Sequence, residues 1–189
     1  MANHTIAGLQ YQPDFLDMLQ QDRLLQKIDA QSWSTEIKRR VQHYGYKYDY
    51  RKRKIDDSMA LGSLPDWLSE IAEKLQIREF MPAIVDQVII NEYQPGQGIS
   101  PHVDCEPCFG DTIASISLGS PCVMDFRNQH DKRHVPILLM PGSLLVFSGE
   151  ARYHWTHGIV ARTEDTFEGH TFKRGRRVSI TFRTIVRSD

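Results

Sequence analysis

Between Val88 and Phe182 the chain is divided into short apolar runs separated by glycine, proline and polar turns, and that punctuation limits what it can fold into. Val88-Ile89-Ile90, Ile113 to Leu118, Cys122 to Phe126, Val135 to Leu139, Leu144 to Phe147 and Val178 to Phe182 have the length and residue types of strands. Two stretches with helical spacing precede them. Phe15, Leu16, Leu19, Leu24, Leu25 and Ile28 predict an amphipathic helix over Pro13 to Ile28. Leu68, Ile71, Ala72 and Leu75 predict a second that starts at Pro65, where proline suits a first turn. Helices followed by a run of strands describe an α+β chain whose sheet part is a sandwich or barrel. At 189 residues, 40% of them hydrophobic, the chain is long enough for one domain with a full core. We read residues 1–189 as that single domain, 1–86 forming a helical and lid part and 87–189 the strand-built core.

His102 and Asp104 follow the turn-rich stretch Asn91 to Pro101. Residues two apart on an extended segment point the same way, so this imidazole and carboxylate can converge on one ion. A third ligand is available at His157, with His154 as its competitor. Two histidines and one carboxylate occupy one face of an octahedral Fe(II) and leave the other positions open for a co-substrate and dioxygen. The His-x-Asp triplet is short and also fits a surface loop. Its context strengthens the metal reading, because Arg177 and Arg183 lie downstream, an even number of residues apart, on one face of a strand. Ser179 and Thr181 share that face, Val178, Ile180 and Phe182 take the other, and Arg176 falls on the wrong side. Two guanidinium forks on one wall suit a dicarboxylate.

Together these residues resemble the AlkB-like family of iron(II)- and 2-oxoglutarate-dependent dioxygenases, over about Gln87 to Ile185. The resemblance implies a double-stranded β-helix, or jelly-roll, with N-terminal helices and a substrate-binding lid. It implies Fe(II) held by His102, Asp104 and His157, the last chosen over His154 because Gly158-Ile159 follows it. It also implies that Asn91, Tyr93, Arg177 and Arg183 hold 2-oxoglutarate, and that Asp104 pairs with an arginine while ligating the metal.

Net charge is only −1, yet Lys38 to Lys54 carries eight basic residues against one acid, Asp49. Tyr44, Tyr46, Tyr48 and Tyr50 alternate within it, which on a strand would put four rings on one face. Cations beside aromatic rings make a nucleic-acid surface, with Arg51, Lys52 and Arg53 as phosphate contacts; a half-buried strand with a solvated basic flank is the plainer alternative. Lys173 to Arg177 forms a second basic cluster that can add phosphate contacts. His43, His130, His134 and His170 have no comparable partners and read as surface or loop histidines. Three cysteines predict reduced thiols; Cys105 and Cys108 have no second pair to complete a zinc site, and Cys122 is isolated. No apolar run is long enough to span a membrane and no secretory leader is evident, so the expected location is the cytoplasm, or the nucleus in a eukaryotic cell.

The resemblance implies oxidative demethylation of 1-methyladenine or 3-methylcytosine in DNA or RNA, with release of formaldehyde, succinate and CO2. The base must be single-stranded or flipped out to reach the metal. Glu106 resembles the position of an acid that faces the exocyclic amine of such a base. Arg39 to Tyr50 and Gly149 to Ile159 are also similar to the branch that hydroxylates a modified wobble uridine in tRNA. In that branch the domain is accompanied by RNA-recognition and methyltransferase parts, which this sequence lacks, and the expectation is accordingly a free-standing demethylase. A protein hydroxylase would share the iron and 2-oxoglutarate residues, and a non-catalytic nucleic-acid-binding module would need only the basic segment.

Overall fold

The computed structural model describes residues 6–187 and stacks two antiparallel sheets face to face, with helices covering the outer side of one. In chain order the elements are β1 (Leu9–Gln12), α1 (Met18–Asp29), β2 (Val41–Tyr44), a 3₁₀ turn (Asp57–Met59), α2 (Asp66–Ile77), β3 (Gln87–Tyr93), β4 (Ile99–His102), β5 (Thr112–Gly119), β6 (Cys122–Asn128), β7 (His134–Leu139), β8 (Leu144–Ser148), α3 (Gly149–Tyr153), β9 (Trp155–Ile159), β10 (Glu164–Phe167), β11 (His170–Lys173) and β12 (Arg177–Arg183). The major sheet runs β1-β8-β5-β12-β3-β2 and the minor sheet β4-β9-β6-β7, while β10 and β11 form a separate hairpin. This is the jelly-roll arrangement expected.

Strand parity divides the interior into two cores. Val88 and Ile90 of β3, Ala114, Ile116 and Leu118 of β5, and Val178, Ile180 and Phe182 of β12 form one face of the major sheet and pack with Leu24 and Ile28 of α1 and Leu68, Ile71 and Leu75 of α2. Each such side chain contributes about 1.5–3 kcal/mol by leaving water. The opposite face meets the minor sheet, where Ile113, Leu145 and Phe147 pack with Met124, Phe126, Trp155 and Ile159. Near the middle of the major sheet this inner face turns polar: Gln87, Asn91, Ser115, Ser117, Arg177, Ser179, Thr181 and Arg183 are all buried there.

Every strand read from the sequence is present, and both helices are present with shifted starts. α1 begins at Met18 rather than Pro13 because Asp17 caps it: its carboxylate accepts from Gln20 N at 2.8 Å while the Gln20 side chain accepts from Asp17 N at 3.0 Å. Phe15 and Leu16 are buried ahead of that cap, and Leu19 is exposed. Pro65 is the cap of α2 and Asp66 its first residue. The division at residue 87 does not match the sheet, because β1 and β2 form its two edges. Their four-residue lengths carry too little alternation to register as strands.

Glu92 ties the sheet to its surroundings. It accepts from Arg40 at 2.8 and 2.7 Å and from Arg176 Nε at 2.6 Å, and Arg176 also holds Asp29 at the end of α1. Hydrogen bonds from Arg40 first, and from Arg176 against the cost of burial, lower the Glu92 carboxyl from 4.5 to about 2. The unfolded chain therefore takes up this proton first, so the stabilisation is whole above about pH 4.5 and is lost as pH falls toward about 2. Glu92→Gln should cost about 2 kcal/mol at neutral pH. The difference from wild type should shrink across that acid window in denaturant melts, and a pH-independent difference would contradict this account.

Candidate metal centre and substrate cleft

β4 and β9 pair so that His102 stands opposite His157, across a register shift that follows Ile99 opposite Ile159. Gly158 permits the approach: a Cβ there would lie 2.9 Å from Pro101 N and 3.0 Å from Ile99 O. Asp104 follows on the loop after β4. One ligand atom from each of His102, Asp104 and His157 falls within 4.8 Å of the others. His102 Nδ1 is 2.8 Å from the Ser100 carbonyl, which can only accept, so this nitrogen donates and Nε2, 3.3 Å from Asp104 Oδ1, is the atom turned to the cluster. His157 is buried beside Phe147 and Phe126; burial first, then the neighbouring His102, lowers its pKa to about 3. Burial opposes charge on Asp104, yet Arg183 and the two imidazoles hold its carboxyl well below the usual carboxylate range. Two imidazoles and one carboxylate, converging at one point, fit a divalent transition metal.

β12 aims its arginines as the parity requires. Arg183 Nε donates to Asp104 Oδ2 at 2.8 Å and Nη1 to Gln87 Oε1 at 3.3 Å. Arg177 donates through Nη2 to Ser117 Oγ at 2.9 Å, while its buried Nε has no partner. Among the described residues no carboxylate lies within ion-pair distance of Arg177, which is 3% exposed and stacked over Tyr93. A buried guanidinium left in that state suits an incoming anion, such as one carboxylate of 2-oxoglutarate. Asn91 lies on the same face, facing Ser179 across the pairing.

The metal cluster opens into a cleft of about 260 Å³ walled by Arg39, Tyr48, Tyr50, Arg53, Asn91 and Phe109. The structure separates the four alternating tyrosines. β2 ends at Tyr44, and Gly45 turns the chain at φ +74°, where a Cβ would sit 1.9 Å from the Asp86 carbonyl. Tyr44 packs against Trp67 in the helix-side core and Tyr46 stands opposite Ala60 in an isolated antiparallel bridge; neither lines the cleft, whereas Tyr48 and Tyr50 do. Among the described residues the buried Tyr50 hydroxyl has no partner. Arg51 and Lys52 are exposed on the turn leading to Arg53. Glu106 is exposed and outside the cleft lining.

Several sequence expectations need correction. Cys105 and Cys108 are joined in a disulfide, their Cα atoms 5.2 Å apart across one turn, where reduced thiols were expected. The Lys173–Arg177 cluster is mostly internal: Arg174 bonds Asp165, Arg176 bonds Glu92 and Asp29, and Arg177 faces the inner sheet, which leaves Lys173 exposed. His43 is not a surface histidine; it is half-buried against Tyr50, and burial lowers it to about 4. His134 pairs with Asp125. His154 is exposed beyond α3 with its ring against His130, away from the metal cluster.

Two functional residues were missed. Arg39 donates to Asn91 Oδ1 at 2.8 Å and lies over the Tyr93 ring. Its phase with Val41, which pairs with Asn91, was the available signal. Arg152, 1% exposed, donates to the carbonyls of Asp104 (3.0 Å), Cys105 (3.4 Å), Phe109 (3.3 Å) and Gly110 (3.3 Å). It thereby pins the loop that carries the metal-facing carboxylate, and only the long-range packing of α3 reveals this.

A sequence family described as the 2OG-Fe(II) oxygenase superfamily matches residues 19–183. The chain is 36% identical to the "Alkylated DNA repair protein ALKBH8 homolog" of Arabidopsis thaliana, over 95% of this chain and 59% of that one. It is 40% identical to the "tRNA (carboxymethyluridine(34)-5-O)-methyltransferase alkbh8" of Xenopus tropicalis, over 94% of this chain and 32% of that one. It thus spans well under two thirds of either relative. The solved structure of OsALKBH1 superposes with a TM-score of 0.73 at 20% identity, covering 95% of this chain and 98% of that one, which is a likeness of fold. Among the described residues no helix is long and apolar enough to cross a membrane.

Because Arg152 holds the loop at four carbonyls, Arg152→Lys should lower the metal affinity of the cluster by about 10-fold or more. An anaerobic Fe(II) titration reads this directly. Wild-type affinity in a folded Arg152→Lys protein would mean that Asp104 is held without that clamp.

Proposed function

This chain is an AlkB-like member of the 2OG-Fe(II) oxygenase superfamily, an enzyme that uses Fe(II) and 2-oxoglutarate, and on that footing we propose that it hydroxylates a carbon of the substituent on a modified wobble uridine in tRNA. The observation that carries this choice is the chemistry of the cleft wall. Arg39 and Arg53 bring guanidinium donors to the lining, while Glu106 lies outside. Asn91 Oδ1 already accepts from Arg39. A uracil ring offers two carbonyl acceptors to such a wall; an adenine or cytosine needs an acceptor for its exocyclic amine. The similarity to a relative named for a carboxymethyluridine in tRNA points the same way. The demethylase expectation, which leaned on Glu106, is therefore the weaker of the two.

In this reading His102, Asp104 and His157 hold Fe(II), and Arg177, with Asn91 and Tyr93, receives 2-oxoglutarate. With dioxygen, the bound metal and co-substrate supply the insertion of one oxygen atom into a C–H bond, 2-oxoglutarate leaving as succinate and CO2. Arg183 keeps Asp104 charged and fixed in orientation. The Ser100 carbonyl fixes the His102 tautomer. Tyr48 and Tyr50 exclude water from one side of the cleft and offer ring faces to a base taken out of its stack.

Turnover of an anticodon stem-loop bearing 5-carboxymethyluridine, or its methyl ester, should give a nucleoside that has gained one oxygen, with succinate in equal amount and no formaldehyde. Formaldehyde matched to succinate from oligonucleotides carrying 1-methyladenine or 3-methylcytosine, with the uridine untouched, would install the demethylase reading instead. Hydroxylation of peptides alone would favour a protein hydroxylase. His157→Ala should abolish Fe(II) binding although His154 remains, and Arg177→Ala should raise the KM for 2-oxoglutarate at least 10-fold, the equivalent of about 1.4 kcal/mol. Full metal affinity in His157→Ala would refute the ligand set.

A further inference from the structure

We infer that a second cleft, beside the metal cleft and separated from it by Arg39, holds the backbone phosphates of nucleotides flanking the target base, with Lys38 and Arg127 as its cations. The inference rests on the nucleic-acid reading above. This cleft has a volume of about 430 Å³ and lies between the 96–101 turn and the 158–161 segment. Arg39 and Ile99 line both clefts, so the two are contiguous. Lys38 and Arg127 come from parts of the chain far apart in sequence, one ahead of β2 and the other on β6, and both are exposed. Among the described residues neither of them, nor Arg39, has a carboxylate within ion-pair distance. The one acid in the wall, Asp125, is engaged by His134 at 2.6 Å.

The wall of the metal cleft itself carries Arg53, next in the chain to the exposed Arg51 and Lys52; among the described residues none of the three has a carboxylate partner, and Asp49 accepts the backbone N–H groups of Arg51 and Lys52. Unneutralised cations therefore line both clefts. A nucleotide delivered to the metal brings phosphates on both of its sides, and an isolated nucleoside brings none. Cations in two adjoining clefts fit a continuous strand crossing the cleft mouth, with one arm lying in the second cleft.

The test compares three charge-reversed proteins in binding a single-stranded RNA heptamer across a salt series: Lys38→Glu/Arg127→Glu, Arg51→Glu/Lys52→Glu/Arg53→Glu, and Lys27→Glu on α1 as control. Each phosphate contact on a single strand contributes about 0.7 to the slope of log affinity against log salt. The Lys38/Arg127 protein should lose affinity, with its slope flattened by about 1.4. Lys38→Gln/Arg127→Gln should show a smaller loss in the same direction, and melting curves report whether each protein is folded. An unchanged slope in a folded Lys38/Arg127 protein, with the Arg51–Arg53 protein weakened, would overturn the second cleft and leave the nucleic-acid reading standing. If neither set of reversals moves the slope, the nucleic-acid reading itself fails and the inference goes with it.

Discussion

Asp104 and Arg183 are buried together at 2.8 Å, and this pair joins the loop after β4 to the central strand of the major sheet. Neither group would be tolerated alone in that interior. The carboxylate without the guanidinium would take up a proton, and the guanidinium without the carboxylate would be an uncompensated buried charge. The pair sets the orientation of the carboxylate presented to the metal. Arg177, on the same strand, is buried with no carboxylate within ion-pair distance among the described residues. β12 therefore carries one buried arginine already paired with a carboxylate and one that is not.

The loop bearing Asp104 is held from two directions. Arg183 takes its carboxylate from the sheet, and Arg152 takes its backbone carbonyls from α3. Precise placement of a metal-facing group needs support of this kind, because a loop alone does not fix a side chain to within a fraction of an ångström. The disulfide between Cys105 and Cys108 lies in the same loop. It was hidden from the sequence because an odd cysteine count argues for thiols, and a count says nothing of how one turn brings two side chains together.

What the sequence made legible follows from local geometry. The alternation of Arg177, Ser179, Thr181 and Arg183 requires only the two-residue period of a strand, and it held because β12 is paired on both sides along nearly its whole length. His102 and His157 were legible as candidates, but their pairing across β4 and β9 depends on a glycine whose role appears only when the strands cross. The tyrosine run misled for the converse reason. Alternation persists in the letters from Tyr44 to Tyr50, yet Gly45 ends the strand after the first of them, and tertiary packing sends Tyr44 to the helices and Tyr48 and Tyr50 to the cleft. Arg39 and Arg152 escaped notice because their value lies in partners far away in sequence.

β1 and β2 close the two edges of the major sheet, β1 against β8 and β2 against β3. The first joins Leu9 to Phe147, so one of the sheet's boundaries is sealed by a contact spanning most of the chain. Before that contact forms, the strand-rich remainder presents unsatisfied hydrogen-bonding edges, the usual route to intermolecular pairing. Loop closure over such a distance is slow to be rewarded. Once β1 is in place the sheet edge on that side is only four residues long, which gives a second copy little backbone to pair with.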